Sequence, residues 1–341
     1  MSGGLAPRGP RVGRWIPLGL LTPLALGAAL SASGQTSESV AREAAGDEST
    51  YVETPLFPGV ELARGLRLQL RSRFLPDADL DPGRVDRVSP ELDARIHVPL
   101  GERALGRING RIGTSRYEFS GGTPFRALLD PLDLYEARLS FDGAYQLNGE
   151  DESWLVEGES WSLLGLLSLN SDWEGGRFDA GLGGNLGLGL GYRIPDRFRI
   201  ALGAVLRSDL DQGGVGVTPY GSFRWSITKS LTLRDRGLGL LLQYRLSRRL
   251  ELFVSAFRST DSWRLKNRLG ADDLSFRDRQ LQAGAGVEWR ITKYLRLNVE
   301  AGGIADRKLR VHSDDLGTLV SQSAGPTPYL DFRLELRPGK L

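Results

Sequence analysis

The sequence predicts an all-β chain, an antiparallel up-and-down transmembrane β-barrel of about 14 strands, with 12 as the alternative count. Three observations predict it. Trp225-Ser-Ile-Thr-Lys-Ser-Leu231-Thr-Leu233 returns 64 residues later as Trp289-Arg-Ile-Thr-Lys-Tyr-Leu295-Arg-Leu297, identical at six of nine positions. Each copy reads as a strand ending in an aromatic, a short polar turn, and a new strand. Apolar and polar residues then alternate with period two over most of the chain. Finally, the connections alternate between short and long, as they do when turns collect on one side of a membrane and loops on the other.

The elements follow in order. Arg8, Arg11 and Arg14 precede a 15-residue apolar stretch, Ile16 to Leu30, and small residues at Ala32-Ser-Gly34. Residues 1–34 therefore read as a secretory signal peptide, too short and too broken by Pro17 and Pro23 to span a bilayer as a helix. Residues 35–60 carry Glu38, Glu43, Asp47, Glu48 and Glu53 against Arg42, without apolar periodicity. They read as an acidic flexible leader in the periplasm. Residues 61–341 read as the barrel.

Strands are expected near 62–74, 91–99, 104–117, 132–146, 153–169, 177–193, 198–208, 216–227, 238–246, 249–260, 279–291, 295–311 and 327–337. A further short one is expected at 231–234, before a tight turn at Asp235-Arg-Gly237. The alternation is plain at Leu66, Leu68 and Leu70 against Arg67, Gln69 and Arg71, and at Leu330, Phe332, Leu334 and Leu336 against Asp331, Arg333 and Glu335. From Glu61 onward 281 residues remain. That allows about 20 per strand, of which roughly ten cross a bilayer.

Thr228-Lys229, Ser247-Arg248 and Thr292-Lys293 are among the short connections. Segments 75–90, 118–131, 261–278 and 312–326 are expected as long charged loops. Tyr145, Trp154, Tyr192, Trp225, Tyr244, Trp289 and Tyr294 fall beside the short turns and are expected as an interfacial girdle. Tyr117, Phe119, Trp173, Phe178, Phe257 and Trp263 suggest a second girdle at the long-loop side. Gly183-Gly-Asn-Leu-Gly-Leu-Gly-Leu-Gly191 puts leucines on one face and glycines on the other. It reads as a strand with a bare inner face, open to close packing by a side chain. No Lys-Ser/Thr follows it, so it is not a phosphate loop.

On these residues the chain resembles a bacterial outer-membrane β-barrel. More narrowly, it is similar to barrel families of unassigned function whose strand pairs carry aromatic-x-Leu/Ile-x-x-x-Leu-x-Leu. The resemblance covers about residues 60–341. It implies an outer-membrane location, contact with outer-membrane lipid, and assembly by periplasmic chaperones and the barrel-assembly machinery. Pro328-Tyr-Leu-Asp-Phe-Arg-Leu-Glu-Leu336 resembles the terminal signal read by that machinery, but lacks its final aromatic and continues to Leu341.

Charge and composition narrow the function. The whole chain carries +2, and residues 1–34 hold three Arg and no acid, which leaves −1 for the remainder. Net charge thus gives no case for nucleic acid. With no Cys and two His, there is no thiolate site and little room for a histidine metal site. Asp272-Asp273 and Asp314-Asp315 lack the spacing of a calcium loop. His97 reads as a strand-end residue. His312, before Ser313-Asp314-Asp315, is the better placed base, yet no partner is fixed within its reach. Neither a catalytic residue nor a cofactor is therefore expected.

The candidate lumen-facing charges are Arg107, Arg111, Glu136, Arg138, Glu288, Arg290, Arg296, Glu300, Arg333 and Glu335. Their mixed signs suit a pore for ions or small solutes and a cross-strand brace equally. A lipid- or peptide-acting membrane enzyme and a soluble exported all-β protein are the alternatives.

Overall fold

The computed structural model describes residues 66–101, 103–147, 159–175, 178–208, 214–266 and 274–337. The expected signal peptide and acidic leader lie outside the described residues. The strands are β1 (Leu66–Asp79), β2 (Arg84–Pro99), β3 (Ala104–Ser120), β4 (Leu132–Gln146), β5 (Ser160–Glu174), β6 (Leu182–Ile194), β7 (Phe198–Ser208) and β8 (Val215–Ser226). They continue with β9 (Leu231–Asp235), β10 (Leu238–Arg245), β11 (Leu250–Arg264), β12 (Leu274–Arg290), β13 (Leu295–Ser313), β14 (Gly317–Ala324) and β15 (Thr327–Leu336). One short helix, α1 (Pro124–Leu129), sits between β3 and β4.

Each strand from β1 to β13 pairs antiparallel with the next. The last strand, β15, pairs with β13 on one side and with β1 on the other, which closes the cylinder. The preceding β14 pairs with the upper part of β13 and bridges Leu80 through Ala324. It is separated from β15 by Gly325 and Pro326, so the two segments form one broken wall position. The result is a closed antiparallel barrel of 14 strands.

Alternation fixes which face meets what. In the half near the short turns, the outward residues are apolar and exposed: Leu70 at 54%, Ile112 at 59%, Leu188 at 64%, Leu202 at 60%. The inward neighbours of Leu70 and Ile112 include Gln69, Arg71 and Arg111, whereas those of Leu188 and Leu202 are Gly or Ala. An exposed apolar belt around a closed barrel is a membrane surface, because every backbone group in it is paired within the wall. The leucines are not buried between two layers, so the soluble reading is overturned.

Beyond that half the pattern inverts. On β3, odd-numbered residues face inward throughout. They are polar at Arg107, Asn109 and Arg111, then apolar at Tyr117 and Phe119, both buried. The outward Arg116 and Glu118 are wet. A β-bulge in β1 between Leu75 and Ala78 and another where β12 meets β13 reset the phase of those strands. As a result Ala78, Leu309 and Val311 turn inward, while Leu75, before the bulge, already shares the inward parity of Arg71 and Arg73.

Two expectations are corrected here. Segments 75–90 and 312–326 and the described part of 261–278 are largely strand rather than loop, and 118–131 holds the end of β3 and α1, because their inward side chains have a core to enter. The second girdle also fails. Tyr117, Phe119, Phe257 and Trp263 are buried inside rather than exposed to lipid. Of that group Phe178 alone is strongly exposed, and the ring of Trp173 packs edge-on to it at 4.9 Å.

The inward core closes the long-strand end. Phe125 and Leu129 of α1 drop into a cluster with Tyr117, Phe119, Trp263, Phe276, Leu309 and Val311. Phe119 stacks on Phe125 at 5.4 Å, and Tyr117 meets Phe276 edge-on at 5.0 Å. The sequence favours α1 locally: Thr123 caps it by accepting from Phe125 N at 3.3 Å, and Pro124 follows at the first turn. Thr123 also donates to Gln322 Oε1 at 2.6 Å, tying the helix to β14.

The wall is uneven. The β9 and β10 strands have five and eight residues, between a 12-residue β8 and a 15-residue β11. Only Arg224, Trp225 and Ser226 of β8 pair with β9. The rest of that edge carries no ladder, and Pro219 lies within it. At its far end β11 turns inward: Thr260 and Ser262, at outward positions, are each 5% exposed. There Arg264 pairs with Trp173 of β5.

Candidate functional site

The inner face of the barrel gathers most of the polar chemistry. Cross-strand register builds it, because partners directly opposite share a face. From β3 to β13 a string of ion pairs follows the wall. Arg111 meets Glu91 at 3.2 Å, and Arg71 reaches Glu91 at 3.7 Å and Asp331 at 2.6 Å. Arg333 joins Asp331 at 3.2 Å and Glu300 at 3.5 Å. Arg236, at the tip of the β9–β10 hairpin, reaches past β11 and β12 to Glu300 at 2.8 Å. Glu300 also accepts from Tyr329 Oη at 2.7 Å and Ser255 Oγ at 2.8 Å.

A second network crosses the lumen beneath the apolar cap. Arg87 on β2 bonds Asp261 at 2.7 Å and Asp278 at 3.2 Å, on β11 and β12. Asp278 also takes Arg307 at 2.9 Å and the Tyr117 hydroxyl at 2.8 Å. The Arg87 guanidinium lies 5.2 Å from the Tyr117 ring centre and 5.3 Å from that of Trp263. Such buried charges persist only with full partnering.

Nearer the short turns, Arg107 pairs with Asp142 at 2.6 Å, and Asn109 Nδ2 donates to the same carboxylate at 2.8 Å. Arg95 pairs with Asp93 at 2.8 Å, and Arg296 with Glu288 at 3.2 Å. Glu335 is shared by Arg67 and Arg337.

The ten charges chosen from sequence therefore distribute as follows. Arg111, Glu300 and Arg333 belong to the wall string. Arg107, Glu288, Arg296 and Glu335 pair locally. Glu136 lies against Gly113 across the β3–β4 ladder, Arg138 stands opposite Arg111, and Arg290 stands opposite Arg296. Sequence reasoning missed Arg71, Glu91 and Asp331, though all three sit at polar positions of alternating runs. It also missed Arg87 and Asp278, hidden in segments read as loops, Arg307, whose face is set by the bulge in β13, and Arg236, which nothing in the sequence marks.

Of the expected girdle, Tyr145, Tyr192, Trp225, Tyr244, Trp289 and Tyr294 stand at the short-turn ends, partly or fully exposed. Trp154 lies outside the described residues. Trp161, not anticipated, packs on Tyr192 with ring centres 4.8 Å apart. The glycine-rich face of β6 is covered by Tyr220 of β8, whose ring lies where side chains at Gly189 and Gly203 would stand. Tyr220 extends an apolar patch of Leu105, Ala144, Leu164 and Ala201 on that wall.

The candidate base His312 gains no triad. Ser313 Oγ accepts from Leu316 N at 3.1 Å, and Asp314 pairs with Arg264 at 3.1 Å. Among the described residues no group of three or more His, Asp or Glu could hold a metal. Asp272 and Asp273 lie outside them.

Fold and belt together define a class, a membrane-spanning β-barrel with a charged lumen and a capped end. No protein-family model and no curated protein matches the chain. Among solved structures it is similar to an outer-membrane channel from Pseudomonas putida F1, at 13% identity over 85% of this chain and 100% of that one, TM-score 0.47. It is also similar to the P. putida toluene transporter TodX, at 9% identity over 81% and 90%, TM-score 0.36. A third likeness is to the translocator domain of the autotransporter NalP from Neisseria meningitidis, at 12% identity over 89% and 96%, TM-score 0.31.

Proposed function

We propose that the protein is an outer-membrane channel for ions or small solutes, held closed at one end. The observation that carries this reading is the inner wall. It carries charged side chains from the short turns up to the cap, and its largest apolar cluster is that cap, with smaller patches around Leu105, Leu164 and Ala201 and around Leu75, Ile304 and Tyr329. A lumen built only to be filled would not need a wet charged wall beneath a separate lid. The short turns face the periplasm, the capped end faces outward, and residues 1–34 direct export and are removed.

A brace is the second reading, favoured by Arg87, which bridges the lumen to Asp261 and Asp278. Catalysis forms no part of either, since Ser313 and Asp314 beside His312 are committed elsewhere. Planar-bilayer recording separates the two. The wild type is expected to conduct weakly, and Phe125→Ser with Leu129→Ser, which loosens α1, to conduct more. If neither protein passes current while both show the heat-modifiable mobility of a folded barrel, the lumen is a brace and the channel reading fails.

A further inference from the structure

On β6 to β9, four arginines stand side by side. Arg193 is opposite Arg199, Arg199 is opposite Arg224, and Arg224 is opposite Arg234. Directly opposed residues share a face. That face is the inner one, because the flanking row of Phe198, Trp225 and Leu233 points outward. Like charges directly opposed destabilise a sheet. Elsewhere on the wall Arg71, Arg107, Arg111 and Arg333 each meet a carboxylate within 4.0 Å. Among the described residues no carboxylate forms an ion pair with Arg199, Arg224 or Arg234. The acids around the row are Asp196, in the β6–β7 turn, Glu251, on β11, and Asp235, which follows Arg234 and accepts from Ser222 Oγ at 3.1 Å and Phe223 N at 2.8 Å.

The next inward row toward the lumen centre is Gly191, Ala201 and Ser222, again in register. These neighbours are small, and Ala201 and Ser222 are packed over by the side chains of other strands. Four strands at about 4.8 Å spacing stretch the row over roughly 14 Å, enough for more than one oxyanion group. Planar guanidinium forks match phosphate and carboxylate oxygens in pairs.

We infer that Arg193, Arg199, Arg224 and Arg234 form an oxyanion-binding row at the short-turn mouth, for a phosphate- or carboxylate-bearing solute. The inference deepens the channel reading and rests on it for the solute's passage, though not for its binding. The row faces the lumen, which assigns it a dissolved anion rather than a lipid headgroup.

The test uses the refolded full barrel in a neutral, phospholipid-free detergent, with inorganic phosphate as the probe. At constant ionic strength, replacing chloride by phosphate is expected to raise the melting temperature of the wild type. Arg199→Gln with Arg224→Gln is expected to melt higher than the wild type without phosphate, and to lose the phosphate response. Arg234→Gln, at a more exposed position, replaces the double variant if that one does not fold, and should weaken the response. Equal phosphate responses in wild type and variant overturn the row, as does a wild type indifferent to the exchange. A response that appears only after phospholipid is added assigns the row to headgroups and overturns the solute. In bilayers the double variant should lose anion preference, read as a shift in reversal potential. A barrel that binds phosphate but never conducts refutes the channel and spares the row. One that conducts with unchanged selectivity and no phosphate response refutes the row and spares the channel.

Discussion

Asp278 holds Arg87, Arg307 and Tyr117 at once, and neither its carboxylate nor the Arg307 side chain is exposed. Removing one partner of a buried set leaves the others charged without compensation. Asp278→Asn is therefore expected to destabilise the barrel by about 3–5 kcal/mol. Tyr117→Phe, which deletes one bond to that set, should cost about 1–3 kcal/mol by the same reasoning for hydrogen bonds to charged groups. Urea titration of the barrel refolded into vesicles checks both, and equal losses would contradict the ranking. On the outside the logic reverses. Leu188, midway along β6, faces lipid, so Leu188→Arg should cost about 2–4 kcal/mol, while Val215→Arg at the far end of β8 should cost about 0–1 kcal/mol. A flat response with depth would mean the belt is not where the exposed leucines put it.

Strand edges decide what each element tolerates. Proline is at home where a strand has no neighbour on one side, and Pro219 lies in the part of β8 that β9 does not reach. Pro219→Thr should change stability by no more than about 0.5 kcal/mol, as for other unconstrained sites. Leu202 of β7 is paired to Leu190 and to Gly221. Leu202→Pro should abolish the heat-modifiable folded form on a gel, and survival of that form would show the ladder there to be dispensable. The strands themselves were readable: β4 and β7 coincide with their expected spans, and β9 was legible as a short strand before its turn. The failures have two causes. A strand above the membrane keeps its inward parity but exchanges polar for apolar residues, so Tyr117 and Trp263 look like girdle residues to a reading that assumes one phase. The bulges in β1 and β13 hide the rest, because a single extra residue flips every side chain beyond it.

The whole molecule thus has two solvents. Its short-turn half is a membrane barrel, oily outside and ionic inside. Its far half obeys the rules of a soluble protein, with an apolar interior and a wet exterior. The candidate site was legible where the first regime holds, at Arg107, Arg111, Glu300 and Arg333. It was opaque where the second does, at Arg87 and Asp278, which meet from strands far apart in sequence. Tryptophan offers a direct measure of the boundary. Trp161, Trp225 and Trp289 are exposed at the short-turn ends, whereas Trp263 is 2% exposed inside the cap. In single-tryptophan variants refolded into vesicles of brominated lipid, the first three should be quenched and Trp263 should not. Urea should also shift Trp263 emission first, because the cap relies on ordinary burial and the belt is held by bilayer and closed ladder together. If Trp263 is quenched as strongly as Trp225, lipid reaches the residues assigned to the cap. The inversion of phase along β3 and β11 would then be wrong, and with it the lid of the proposed channel.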